Sequence, residues 1–108
     1  MMTNQGLSSI ELGLCLCLAA LCGFDDCVDT LLKHGAPLNC KSVTGHTPLM
    51  KAVMSGNAST VELLLRSGAD TSIRTDSGLN VVDIAIASNA DEEIINMLNA
   101  DFRGNLGS

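Results

Sequence analysis

The chain has 108 residues, a net charge of −6 and an isoelectric point near 4.5. That length gives one small domain, and the excess of carboxylates excludes a nucleic-acid backbone or an anionic membrane surface as the main partner. Trp and Tyr are absent and Phe occurs only as Phe24 and Phe102. The core must therefore come from Leu, Ile, Val, Ala, Met and Cys, which favours close-packed helices over a sandwich or barrel.

The first element is the apolar run LGLCLCLAALCG, Leu12 to Gly23. It is shorter than the stretch of about 20 residues that a helix needs to cross a bilayer. The preceding MMTNQGLSSIE holds Glu11 and no Lys or Arg, unlike a secretory leader. The run reads as a helix to be buried, with Ser8 to Glu11 as a capping box, and no membrane insertion is expected. It lacks a polar face. Leu12, Leu14, Leu18 and Leu21 cannot all face the next element, so they form an N-terminal packing face for an upstream domain, a second copy or a partner, unless Met1 to Leu7 folds back over them.

Asp25 and Asp26 open a second helix, where carboxylates complement the helix dipole. From here the chain repeats itself at a period of about 33 residues. LLKHGAPLN (Leu31 to Asn39) lies over LLRSGADTS (Leu64 to Ser72), Gly23 over Gly56, Ala19 over Ala52 and Ala52 over Ala85. In the middle copy Thr47 caps and Pro48 opens a helix. Leu49, Ala52 and Val53 form its buried stripe, and Gly56 ends it. A further helix, about Ser59 to Ser67, turns Val61, Leu64 and Leu65 inward and stops at Gly68. ADTSIRTDSG then runs out as a loop or hairpin finger. In the third copy Asn80 replaces Thr as the cap with Asp83 three residues on, and Asp91, Glu92 and Glu93 open the last helix.

GHTPLMKAVMSGN followed by VELLLRSGAD resembles an ankyrin repeat, whose pattern is G-x-T-P-L-H-x-A-A-x-x-G-H and then V-x-L-L-L-x-x-G-A-D. The resemblance covers roughly residues 8 to 100 and implies an all-α ankyrin-repeat solenoid, helix-turn-helix units joined by β-hairpin-like finger loops. Residues 1–108 form one domain, with repeats at about 8–40, 41–73 and 74–100 and a tail over 101–108. The His of the T-P-L-H motif is Cys17, Met50 and Asp83 in the three copies, so a small polar network is expected to be lost from each. DIAIASNADEEIINMLN (Asp83 to Asn99) is similar to the last repeat of Arf GTPase-activating proteins whose ankyrin array packs on a zinc-finger catalytic domain. The zinc cysteines and arginine of that domain are absent here, so no activity carries over.

No cofactor or metal site is expected. The cysteines (15, 17, 22, 27 and 40) form no C-x-x-C, and Cys17, Cys22 and Cys27 read as small buried residues on helices. An odd number of thiols fits an intracellular, cytoplasmic chain better than a disulfide framework. His34 sits at a helix end and His46 at a finger tip. No Ser or Cys has an evident base and orienting partner, and there is no phosphate-binding glycine loop. The chain is not expected to be an enzyme.

The resemblance instead implies a protein-protein interaction module. Stacked repeats make a concave surface from finger tips and inner helices. By register its positions are Val43, Thr44, His46, Met54 and Ser55 in repeat two, and Asp76, Ser77, Leu79, Ala87 and Ser88 in repeat three. Val43, Met54 and Leu79 would anchor an apolar contact, with Lys51, Arg74 and Asp76 as rim charges. The alternative is a structural module whose first helix packs on an adjacent domain or a second protomer.

Overall fold

The computed structural model of the chain describes residues 9–107, with side chains for 10–99. Six helices follow one another: α1 (Ser9–Cys22), α2 (Asp25–Lys33), α3 (Pro48–Ser55), α4 (Ala58–Arg66), α5 (Val81–Ala87) and α6 (Glu92–Gly107). They pair as three antiparallel hairpins. The inner helices α1, α3 and α5 stack side by side, the outer helices α2, α4 and α6 stack behind them, and the result is an elongated body of 48 × 27 × 25 Å. The expected solenoid is therefore present. The proposed Ser8 cap and the fold-back of Met1 to Leu7 lie outside the described residues.

Stacking rests on small side chains at one register position. Ala19, Ala52 and Ala85 are all buried where the inner helices meet, and a single methyl group there lets the backbones approach closely. Leu16, Leu49, Val28, Val61, Leu64, Ile94 and Leu98 fill the space between hairpins. Each buried aliphatic side chain contributes about 1.5–3 kcal/mol. α6 runs on to Gly107, through residues that the sequence reads as a tail.

Two fingers project between the hairpins. Each closes through a pair of backbone bonds: Ser42 N to His46 O (2.8 Å) with Gly45 N to Ser42 O (2.9 Å), and Thr75 N to Leu79 O with Gly78 N to Thr75 O (both 2.8 Å). No strand forms among the described residues, so the fingers are tight turns rather than extended hairpins. They touch each other. A Cβ on Gly45, whose φ is +87°, would lie 2.8 Å from the backbone N of Asp76.

The motif histidine is absent, yet its capping work is partly done by its substitutes. Asn80 Oδ1 accepts from Asp83 N (2.9 Å), and Asn80 N donates to Asp83 Oδ2 (3.2 Å). Thr47 Oγ1 accepts from Met50 N (3.3 Å), while Thr47 N donates to the Met50 thioether Sδ (3.4 Å). The expected loss of the network in every copy is thus corrected. A carboxylate replaces it in the third, and a weaker sulfur acceptor replaces it in the second.

Polar joints fix one hairpin to the next. Asn57, between α3 and α4, sends its Nδ2 to Leu21 O (3.2 Å) and Ala20 O (3.4 Å) at the end of α1, and to Ser55 Oγ (2.7 Å). Thr60 on α4 has no solvent exposure and donates its hydroxyl to Asp25 Oδ1 on α2. Asp70 N donates to Asn39 Oδ1 (2.9 Å).

Two stability predictions follow from these contacts. Asp25→Ala strands a buried hydroxyl and is expected to cost about 1–3 kcal/mol in urea unfolding, whereas Asp25→Asn keeps an acceptor and costs less. Gly78→Ala is expected to cost about 1–2 kcal/mol for its left-handed backbone alone. Gly45→Ala should cost more, because its methyl also meets the backbone of the second finger, and the same unfolding curves compare the two.

Candidate functional site

The positions that the register assigns to the concave side fall into two groups. Finger tips supply Val43 and Thr44 on one turn and Asp76 and Ser77 on the next. Helix ends supply Met54 and Ser55 on α3, and Ala87 on α5 with its cap Ser88. Gly45 packed on Asp76 holds the fingers together, and the stacked helices bring the second group into a row. Among the three expected anchors Val43 is 93% exposed, Met54 42% and Leu79 40%. All three apolar side chains therefore face solvent.

The first finger is internally braced. Thr44 Oγ1 lies 2.7 Å from His46 Nδ1 and 3.1 Å from Ser42 Oγ, and His46 N donates to Ser42 Oγ (3.2 Å). Burial, and then the nearby Lys51 ammonium, push the His46 imidazole below its usual range, against an opposing pull from Asp76. His46 is consequently neutral at pH 7, and its ring serves the turn as a hydrogen-bonding group rather than as a cation.

Several expected contact residues are already engaged. Arg74 donates from Nη1 to Gly78 O (2.8 Å) and stiffens the second finger. Ser55 gives its hydroxyl to Lys51 O (3.1 Å) and Ala52 O (3.2 Å) while accepting from Asn57. Ser77 N and Leu79 N both donate to Thr75 Oγ1 (3.2 Å each). Lys51 is half-buried beside His46. These groups shape the surface, and its open face consists of Val43, Met54, Leu79, Asp76, Ala87 and Ser88.

A second apolar surface lies at the leading end of the array. Leu14, Leu18 and Leu21 of the expected packing face are exposed, Leu18 at 62%. Leu12 is not part of that face, because it turns inward and packs half-buried against the core. Ile10 and Phe24 join the exposed set and were not legible as such in the sequence. Between α1 and α2 an open groove of about 530 Å³ is lined by Leu18, Ala19, Cys22, Phe24, Cys27 and Leu31, among others. Cys22 and Cys27, expected to be buried, are exposed along it. For Cys27 the reason is positional, whereas Cys22 matches Ser55, which is exposed in repeat two as well. The register equivalents of Ala19, Cys27 and Leu31 in repeat two are Ala52, Thr60 and Leu64, each wholly buried, with repeat one stacked on that hairpin. No hairpin stacks in that way on α1 and α2 among the described residues. The five cysteines are all free thiols. No cluster of His, Cys, Asp and Glu among the described residues could hold a metal ion, and no described helix is long and apolar enough to cross a membrane.

Comparison with known proteins agrees with this architecture. The family described as "Ankyrin repeats (3 copies)" matches residues 15–105. The ADP-ribosylation factor GTPase-activating protein AGD4 of Arabidopsis thaliana is 40% identical over 88 residues, 78% of this chain and 11% of that protein. AGD2 of the same plant is 38% identical over 73 residues, 66% of this chain and 9% of that protein. Human BCL-6 corepressor-like protein 1 is 40% identical over 63 residues, 58% of this chain and 4% of that protein. The chain thus spans about a tenth or less of the length of these relatives, and what it shares with them is the stacked helical hairpin. On that repeat, and on the family match across most of its length, the chain belongs to the ankyrin-repeat family.

Proposed function

We propose that the chain is a non-catalytic module that binds a partner protein through its concave surface. The observation that carries this reading is the exposure of Val43, Met54 and Leu79 on a surface whose fingers are braced from within. Exposed apolar side chains on a rigid platform give contact area with little ordering entropy to lose. Met54 adds an adaptable side chain, and Lys51 and Asp76 supply charges that orient a partner at the edge. Ankyrin repeats in general mediate protein-protein contacts, which supports the assignment. Free thiols fit a cytoplasmic setting.

A specific observation favours a second reading. Part of the leading groove, at Ala19, Cys27 and Leu31, is the register equivalent of positions that are buried in repeat two, so it suits a neighbouring domain packed on α1 and α2. The two Arf GTPase-activating relatives make such a setting concrete, with this chain acting as the structural array beside a catalytic domain.

One experiment separates the two. In quantitative affinity capture with the immobilised chain, Met54→Glu with Leu79→Glu is expected to reduce recovery of specific partners tenfold or more, and Leu18→Glu to leave it unchanged. The reverse pattern would transfer the binding role to the leading groove. Light scattering over a range of concentrations is expected to give a constant monomer mass. A mass that rises with concentration and is restored by Leu18→Glu would show a second copy seated on that groove.

A further inference from the structure

Cys17, on the buried side of α1, and Cys40, in the segment leading to the first finger, place their sulfurs 3.8 Å apart. Gly13 makes the approach possible. It is buried, and a Cβ there would meet Cys40 Sγ at 3.1 Å and Pro37 Cγ at 3.4 Å. Its carbonyl in turn accepts from the Cys40 thiol (3.5 Å). The pair lies in an open cleft of about 200 Å³ between Ile10, Leu14, Pro37 and Lys41, roomy enough for a small peroxide. Cys17 occupies the place of the motif histidine, so a thiol pair stands where the family has an imidazole.

We propose that this cleft is a thiol-modification site, at which hydrogen peroxide oxidises Cys17 and Cys40 to an intrachain disulfide. The thiolate of Cys40 attacks one peroxide oxygen, the O–O bond breaks and hydroxide leaves, so that Cys40 becomes a sulfenic acid. The Cys17 sulfur then displaces the second hydroxide as the S–S bond forms. The two thiol protons leave with the two hydroxides as water. Two thiols are oxidised by two electrons in all, and one peroxide is reduced to two molecules of water. The sulfurs need to close from 3.8 Å to about 2.0 Å. Cys40 stands outside any helix, so its backbone can supply that movement.

The electrostatics assign the roles. A hydrogen bond from Cys17 lowers the Cys40 thiol to about 7, against the opposing effect of burial. The same bond, then burial, then the charge of Cys40 hold Cys17 in its protonated form. Cys40 is therefore the attacking sulfur and Cys17 the resolving one. The lowered Cys40 thiol carries more thiolate at pH 7 than an unperturbed thiol, and the lower intrinsic nucleophilicity of the more acidic sulfur offsets part of that gain.

The test treats the intact 108-residue chain at pH 7 with stoichiometric hydrogen peroxide, quenches with N-ethylmaleimide and reads mass and fragmentation. The expected product is lighter by two hydrogens before labelling, takes up two fewer maleimides, returns to the starting mass with dithiothreitol, and carries a Cys17–Cys40 cross-link. Cys17→Ala, which removes both the resolving sulfur and the hydrogen-bond donor, is expected to leave Cys40 as a sulfenic acid that dimedone traps, and to move the midpoint of its alkylation pH profile upward from about 7. The proposal is overturned if the cross-link joins Cys15, Cys22 or Cys27 instead. It is equally overturned if Cys40 in the unsubstituted chain is oxidised no faster than those exposed thiols. Both of these outcomes are read on the unsubstituted chain.

Discussion

Every feature of this molecule depends on one constraint: a two-helix hairpin of this size cannot cover its own apolar stripe. The outer helices are only nine residues in α2 and α4, too short to be stable alone in water. Burial must come from the neighbouring hairpin, and the buried alanines at one register position set how near it can come. Stability is then a sum over hairpins and the contacts between them. The middle hairpin, covered on both sides, gains most. The first exposes Leu18 and Phe24, and the third exposes Ile86, at ends where no further hairpin stacks among the described residues.

Polar groups give that stacking its precision. Apolar surfaces attract without direction, and a small slide between hairpins would lose little hydrophobic energy. The Asn57 amide on α1 carbonyls, the Thr60 hydroxyl on Asp25 and Asn39 beneath Asp70 N each tolerate only one alignment. The same alignment sets finger against finger, and so gives the concave side a defined shape. Here the energetics of the fold and the character of the surface are one question.

Much of this was legible in the sequence because it is written as repetition. The period located the hairpins, Thr47 and Pro48 placed the start of α3, and Asn80 with Asp83 placed the start of α5. Exposure was harder to read. Cys27 stands at the position of the buried Thr60 in the next copy and is open because no hairpin among the described residues covers it, while Cys22 matches Ser55, which is exposed there too. Leu12 was assigned outward because an apolar helix without a polar face has no sequence mark of its inner side, and the structure turns it inward. The joints were missed for a related reason. Asn57 and Asp25 look like ordinary turn and helix-start residues, and their partners lie 36 and 35 residues away. The Cys17–Cys40 approach across 23 residues left no local trace either.

The Asn57 joint also bears on how such a chain can change over time. Its register counterparts are Phe24 in the first hairpin and Ala90 in the third, and neither carries an amide that could reach across to a preceding helix. The hairpins are alike in backbone but not exchangeable. Duplicating, deleting or shuffling one of them would leave a joint without its counterpart. The array therefore behaves less like beads on a string than like a sentence, in which the order of near-identical words carries the meaning.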